Sequence, residues 1–322
     1  MFIRYETLRM TFAVFTETAR PFLEGRLPAG VEPHWFDRFE DLPPLMAQAE
    51  IAWIDVFREG NEVARAVSEA PRLRWLNTVA AGINHLPLDL MAQRGTVLTN
   101  GAGLHAGTIA EYALLGMLTI VKGYRDVVRA QDRHEWLHEP PGRRELAGTS
   151  ALIVGAGAIG GRIGHLLRVF DVGVTEVRRS GAPGTLRPEE WRTRLGDFDW
   201  VIVAVPSTPD THGLFGRVEF AAMKPGAVIM NFARGEVIQT EALLAALDSG
   251  RLGGAFLDVT DPEPLPPEHP LWTRENVHIS MHLSGRSQET IFQKGAERFL
   301  ANCSRFLAGE PLEHVVDLQA GY

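Results

Sequence analysis

Three short segments end in side chains that can manage charge and protons. Asn231-Phe232-Ala233-Arg234-Gly235 follows an apolar run. Leu257-Asp258-Val259-Thr260-Asp261-Pro262-Glu263-Pro264 follows a second, and Ser280-Met281-His282-Leu283-Ser284-Gly285 a third. Each run has the length of a buried strand, so an Arg, a Glu and a His emerge from three strand ends. A guanidinium forks onto paired oxygens, an imidazole titrates near neutral pH, and a carboxylate can orient that ring. Plainer uses exist: Arg234 as a surface residue, Glu263 as a loop charge with Asp261 its nearest rival, His282 as a satisfied buried ring.

The element that must position these groups is Ser150 to Gly164, SALIVGAGAIGGRIG. A short apolar run leads into Gly155, Gly157 and Gly160 in GxGxxG spacing, and Ile159, Ile163, Leu166, Leu167 and Phe170 then recur with helical period. Strand, tight turn and helix in that order predict a dinucleotide site. The first glycine permits the turn, the second admits a pyrophosphate, and the third lets helix and strand pack closely. The phosphates would meet the free N–H groups of the helix N-terminus at Ala158 and Ile159.

Cofactor choice is decided at the end of the next strand, where an acid binds the ribose of NAD and an arginine accepts the 2′-phosphate of NADP. That strand runs Thr175-Glu176-Val177-Arg178-Arg179-Ser180, and Arg178 stands 18 residues after Gly160, near the expected distance. Arg178, Arg179 and Ser180 predict a preference for NADP(H). Two alternatives stay open: a solvated arginine pair, and NAD held by Glu176 if the register shifts by two.

Strands and helices alternate through the chain, which predicts parallel α/β architecture. Strands are expected at Thr11–Phe15, Ile51–Phe57, Trp75–Val79 and Val97–Thr99, with a helix at Asn61–Glu69. Prolines 28, 33, 43 and 44 punctuate the first part. From His105 to Arg133 the apolar pattern is long, wide and helical, and reads as one connector helix and a candidate dimer face. Further strands are expected at Val172–Val177, Trp200–Val205, Ala227–Phe232, Gly254–Val259 and Val277–Ser280. Helices fall between them at Pro188–Leu195, Val218–Lys224 and Thr240–Leu247, the last N-capped by Thr240. A final amphipathic helix, Gln288–Leu307, returns to the first domain. Met1–Arg9 shows no pattern and reads as a mis-called start or a loose arm.

The 322 residues allow two domains, and 45% hydrophobic content supports a real core. A net charge of −8 argues against nucleic acid as a partner. The single cysteine, Cys303, excludes an internal disulfide and fits a reducing, cytoplasmic setting. No apolar run approaches the roughly 18 residues of a membrane span, and no signal peptide is evident. His134 and His138 are four apart, a metal-ligand spacing, but lack HExxH spacing or a second ligand pair, so no metal is expected.

These pieces in series, AAGINHLP, GLHAGTIAEYAL, LIVGAGAIGGRIG, VPSTPDTHGLF, NFARGEVIQTEALLAAL, GAFLDVTDPEPLPPEHPLW and the His282 segment, resemble the D-isomer-specific 2-hydroxyacid dehydrogenases over about residues 75 to 310. The resemblance implies a Rossmann cofactor domain (105–286) inserted into a discontinuous flavodoxin-like substrate domain (1–104 and 287–322). It also implies a homodimer and a small 2-keto acid substrate of the glyoxylate or hydroxypyruvate kind. It places Arg234, Glu263 and His282 on the family's catalytic trio. Cofactor contacts would come from Gly155, Gly157, Ala158, Ile159, Arg178, Arg179, Ser180, Val205, Pro206, Thr211, Phe232, Ala233 and Asp258. Substrate contacts would come from Arg234 and the N–H groups of Ala81 and Gly82. In such chemistry Arg234 fixes and polarises the keto acid, His282 supplies the proton, and Glu263 steadies the charged ring. Trp136 is a further candidate for the pocket wall.

Departures from the family pattern bear on substrate choice. Met281 replaces the proline that usually precedes the histidine, Arg286 a small residue, Lys122 an arginine, and Thr260-Asp261 a Phe-Glu pair. A formate dehydrogenase relative would carry Gln at Glu263. The competing reading from another class is a nucleotide-sensing, corepressor-like binding protein on the same scaffold.

Overall fold

The computed structural model describes residues 10–55, 60–83, 85–179, 181–286 and 288–319. In chain order the elements begin β1 (Thr11–Thr16), α1 (Arg20–Leu23), β2 (Val31–Phe36), α2 (Leu42–Met46), β3 (Ile51–Trp53), α3 (Gly60–Ser68), β4 (Trp75–Asn77), α4 (Leu88–Arg94) and β5 (Val97–Thr99). Next come α5 (Ala106–Lys122), α6 (Tyr124–Asp132), β6 (Ser150–Val154), α7 (Ala158–Val169), β7 (Gly173–Val177), β8 (Trp200–Val203), α8 (Arg217–Ala222), β9 (Ala227–Asn231), α9 (Thr240–Asp248), β10 (Leu252–Leu257) and β11 (Val277–Ile279). The last helix is α10 (Gln288–Ala308). The chain divides into two compact units, Met1–Leu104 with Ser287–Tyr322, and His105–Arg286.

In the first unit five parallel strands run in the order β2-β1-β3-β4-β5, the flavodoxin-like order. Apart from the edge strand β2, its strands are buried on both faces, which is why they read as nearly unbroken apolar runs. Val14, Ala52, Leu76 and Leu98 pack on one side with Met46, Val67 and Met91. Phe15, Trp53 and Trp75 pack on the other with Phe292, Phe299 and Cys303 of α10. Trp75 stacks on Phe299 at 4.7 Å. Burial pushes the Cys303 thiol up to about 12, so it acts as an apolar filler.

In the second unit six parallel strands run β11-β10-β9-β8-β6-β7. The chain leaves β6 for β7 on one side and then crosses to β8 on the other. The carboxyl ends of β6 and β8 therefore flank a topological switch point, the place where open α/β sheets bind ligands. No helix among the described residues is long and apolar enough to cross a membrane.

Several elements differ from expectation for identifiable reasons. β2 was hidden by Pro33; as the edge strand it can lack that N–H donor. The expected strand Ile51–Phe57 is ordered as a strand only to Trp53, and its residues 56 and 57 lie outside the described residues. Trp75–Val79 stops at Asn77, where the chain turns to follow side-chain acceptors. The single connector helix is two helices, broken at Gly123 with φ +59°. Pro141 and Gly142 press on that point: a Cβ at Gly123 would lie 2.8 Å from the Gly142 nitrogen. The helix expected at Pro188–Leu195 is instead a turn at 188–190, where the Glu190 carboxylate accepts the Arg187 N–H at 2.7 Å, followed by a 3-10 segment at Trp191–Asp197. Thr240 is the first helical residue of α9 and not its cap; its hydroxyl donates to the Asp261 carbonyl at 3.1 Å.

Candidate active site

The glycine turn sits at the end of β6, and its three glycines do three different things. Gly155 has φ +98°, and a Cβ there would fall 2.6 Å from the Ala204 carbonyl just past β8. A Cβ on Gly160 would fall 2.3 Å from the Gly155 oxygen and 2.8 Å from Ile153. Around Gly157 nothing lies within 4 Å. The first and third glycines are thus demanded by packing, while the second borders open space. Gly157 and Ala158 are exposed at the start of α7, whose first-turn N–H groups have no intrahelical acceptors. This cradle fits the pyrophosphate of a dinucleotide.

Beside it, Glu176 is buried in β7 and takes both neighbouring arginines. Arg168 Nη2 donates to Oε1 at 2.8 Å, while Arg178 Nε and Nη2 donate to Oε2 at 2.9 and 2.8 Å. Burial raises the Glu176 carboxyl pKa, but the two arginines outweigh it and hold the group below the usual carboxylate range. Arg179 is exposed, and Ser180 lies outside the described residues.

The three segments after β9, β10 and β11 meet. His282 Nδ1 lies 2.6 Å from Glu263 Oε1. A carboxylate only accepts, so Nδ1 carries the hydrogen and Nε2 is left for exchange. The Glu263 carboxyl is held below its usual range first by this bond and also by the charge of Arg234, against the effect of burial. The Arg234 segment is pressed against the Glu263 segment, since a Cβ on Gly235 would overlap the Thr260 carbonyl at 2.0 Å. Asn231, fully buried, ties the Arg234 turn together: it accepts from the Ala233 N–H and donates to the Arg234 carbonyl, both at 2.9 Å. Arg234 Nη1 donates to the Ala233 carbonyl at 2.7 Å.

Asp258 braces the histidine loop. Its carboxylate accepts from Ser280 Oγ at 2.7 Å, from the Ser284 N–H at 3.2 Å and from Ser284 Oγ, and its carbonyl accepts the His282 N–H at 2.6 Å. His105, at the start of α5, holds the same loop through Nδ1 and the Gly285 carbonyl at 2.6 Å. Met281 and His282 both have left-handed φ, +53° and +54°, which costs about 1 to 2 kcal/mol each for non-glycine residues. The braces hold that backbone in place. Composition and spacing did not reveal Asn231, Asp258 and His105 as loop supports, because each acts through a contact with residues distant in sequence or through the backbone.

Of the other expected cofactor contacts, Val205 and Pro206 follow β8 beside Gly155, with Pro206 exposed. Thr211 turns its hydroxyl back to the Pro206 carbonyl at 2.7 Å, closing that loop. The Phe232 ring is buried against Phe256 at 5.7 Å and is not available to a cofactor. Ala233 is buried as well.

In the first unit, Ala81 and Gly82 lie in a bend after β4, and among the described residues neither N–H has an acceptor. Asp55 fixes the approach to that bend: it accepts from Trp53 Nε1 at 2.7 Å, from the Val79 N–H at 2.5 Å and from Thr78 Oγ1. Asn100 Nδ2 and the Gly101 N–H hold the Ala81 and Ala80 carbonyls. His134 and His138 lie beyond the end of α6, so helical spacing does not align them. Among the described residues no group of three or more His, Cys, Asp or Glu could hold a metal. Trp136 is 86% exposed in the same loop.

Residues 114–284 match the family described as "D-isomer specific 2-hydroxyacid dehydrogenase, NAD binding domain". A glyoxylate reductase/hydroxypyruvate reductase of Mus musculus is 33% identical over 231 residues, covering 68% of this chain and 69% of that protein. The crystal structure of a D-isomer specific 2-hydroxyacid dehydrogenase family protein from Aeromonas salmonicida superposes with a TM-score of 0.86 at 28% identity, covering 96% of this chain and 99% of that one. An NADPH-dependent glyoxylate/hydroxypyruvate reductase from Sinorhizobium meliloti, solved with NADP and sulfate, gives 0.77 at 27% identity, with 96% and 99% covered. With a Rossmann unit carrying the glycine cradle, a second parallel α/β unit and an Arg, Glu and His gathered from three strand ends, this chain belongs to the D-isomer specific 2-hydroxyacid dehydrogenase family.

Proposed function

We propose that the protein is an NADP(H)-dependent reductase of small 2-keto acids of the glyoxylate or hydroxypyruvate kind. The observation that carries this reading is the 2.6 Å bond from His282 to Glu263 beside Arg234. The names of the Mus musculus and Sinorhizobium meliloti relatives support the substrate class. For NADP, the support is Arg178 at the end of β7 and a neighbour solved with NADP.

Gly155, Gly157 and the N–H groups of Ala158 and Ile159 would hold the pyrophosphate, and Arg178 with Arg179 the 2′-phosphate. The cofactor, when bound, supplies the hydride. Arg234 forks onto the carboxylate and carbonyl oxygens of the keto acid, presenting one face and polarising the C=O. In the first unit, the N–H groups of Ala81 and Gly82 are the candidates for holding a carboxylate. As negative charge grows on the carbonyl oxygen, His282 Nε2 gives it a proton, and in the reverse direction takes it back. Glu263 keeps the ring in the tautomer that allows this.

The assembly is a homodimer on this reading. A groove of about 530 Å³ between α5, α6 and β11, lined in part by Tyr112, Leu115, Tyr124, Val128, Met281 and Leu283, offers the apolar face. Leu115, Tyr124 and Met281 there are more than half exposed.

A panel of 2-keto acids, each run with NADPH and NADH and followed by the absorbance of the reduced nicotinamide, tests the proposal. Turnover of glyoxylate or hydroxypyruvate with higher kcat/KM for NADPH is expected. An equal or better value with NADH rejects the cofactor preference. Nucleotide binding without turnover of any keto acid would favour the corepressor-like alternative.

A further inference from the structure

The arginine–glutamate cluster at the end of β7 does more than tolerate a buried charge. Glu176 pairs in register with Ile153 of β6 and points toward α7. Gly164 makes the room: a Cβ there would come within 3.0 Å of Glu176 Oε1. Both carboxylate oxygens are taken, one by Arg168 and the other by two nitrogens of Arg178. The Arg178 guanidinium is thereby drawn across the strand end toward the first turn of α7, where its Nη2 lies 3.5 Å from the Cβ position of Gly161. That turn carries the orphan amides of the phosphate cradle. Nη1 of Arg178 has no acceptor among the described residues. The three side chains sum to one positive charge, so the cluster still attracts an anion.

We infer that Glu176 is a positioning residue for cofactor selection. Its carboxylate clamps the Nε–Nη2 side of Arg178, so that Nη1 is offered to the 2′-phosphate of NADP(H), and it does not itself receive the ribose hydroxyls of NAD(H). The inference rests on the proposed role of Arg178. Two features set it apart from a charge effect. A clamp depends on the fork geometry of arginine, which lysine lacks at equal charge. It also requires the glutamate to help an anion bind, against simple repulsion.

Isothermal titration of the intact protein with NADPH, NADH and 2′,5′-ADP tests it by binding alone, using wild type, Glu176→Gln, Arg178→Lys and Arg178→Ala. Wild type should bind NADPH more tightly than NADH and should bind 2′,5′-ADP. Glu176→Gln and Arg178→Lys should each weaken NADPH and 2′,5′-ADP by about tenfold, with NADH changed less than about twofold. If Glu176→Gln weakens NADH or tightens NADPH, Glu176 is a ribose acceptor or a repulsive charge and the clamp is wrong. Arg178→Lys, at a half-exposed position, keeps a positive charge beside the buried carboxylate and removes only the fork; wild-type NADPH affinity in that variant also overturns the clamp. If wild type shows no NADPH preference and Arg178→Ala changes nothing, the role of Arg178 itself fails. A preserved preference in wild type with an inert Glu176→Gln defeats only the present inference.

Discussion

Glu263 Oε1 stands 2.6 Å from His282 Nδ1, with each side chain about 40% exposed. An ion pair that open to water contributes little to stability, typically 0 to about 1 kcal/mol. Its geometry therefore serves orientation. Glu263→Gln should leave the melting temperature nearly unchanged while lowering kcat. His282→Ala should lose about 10²- to 10⁴-fold in kcat with NADPH affinity intact. Near-wild-type kcat in His282→Ala would remove His282 from the mechanism.

The same pair sets an acid limb. Glu263 is held below the usual glutamate range by the His282 bond first, against burial, with smaller contributions from the His282 charge, the Thr260 backbone and, last, Arg234. A folded-state value below the unfolded one means that the interaction is fully present above the ordinary glutamate value. It is lost as pH falls through the lowered one. The acid limb of kcat/KM should therefore lie below the ordinary glutamate range, about 4.3. Glu263→Gln should lack that limb. An acid limb unmoved in Glu263→Gln would assign it to another group.

Met281 has φ +53°, a conformation closed to proline, whose ring fixes φ near −65°. The proline usual before the family's histidine would here swing the loop out of its braces on Asp258. Met281→Pro should abolish turnover although the residue is 59% exposed. Met281→Gly, which relieves the left-handed cost, should keep activity within a few-fold and gain or lose less than about 1 kcal/mol by denaturant melting. An active Met281→Pro enzyme would show that this backbone is not required.

Asp55 behaves oppositely to Glu263. Burial, the largest influence, raises its carboxyl pKa, although bonds from Thr78, Val79 and Trp53 and the charge of His85 pull it down. A raised folded-state value gives stability that is complete below the ordinary aspartate value and is lost as pH rises through the raised one. Wild type should thus lose stability relative to Asp55→Asn as pH climbs from about 4. Denaturant melts across that window check it; parallel curves would place the Asp55 value at its ordinary position.

Much of the site was legible because its groups stand directly after apolar strands. Arg234, Glu263 and His282 follow β9, β10 and β11, and adjacency of parallel strands brings their loops side by side. The glycine turn was legible for the same reason. Features that depend on distant partners were not. The apolar period runs straight through Gly123, whose left-handed cap ends α5, and the packing of Pro141 and Gly142 against it comes from far along the chain. Asp258 reads as a cleft residue until Ser280 and Ser284 are seen to occupy its oxygens. Glu176 and Arg178 are two apart in sequence, yet their pairing, with Arg168 from α7, needs the helix laid on the strand.

The three glycines of the turn allow binding and folding to be separated by adding one methyl group. At Gly160 the methyl would overlap the Gly155 carbonyl at 2.3 Å, and backbone cannot yield cheaply there. Gly160→Ala should therefore destabilise the unit by at least about 1 to 3 kcal/mol, the usual cost of overpacking. At Gly157 the methyl meets nothing within 4 Å, and φ is −74°, so the backbone accepts alanine. Its only burden on folding is the loss of a favoured N-cap residue, about 1 kcal/mol or less. The space it fills is the one into which a pyrophosphate would come. Gly157→Ala should fold and melt close to wild type while binding NADPH at least about tenfold more weakly, measured by cofactor titration. Unchanged NADPH affinity in a folded Gly157→Ala protein would mean that the phosphates do not lie at this turn.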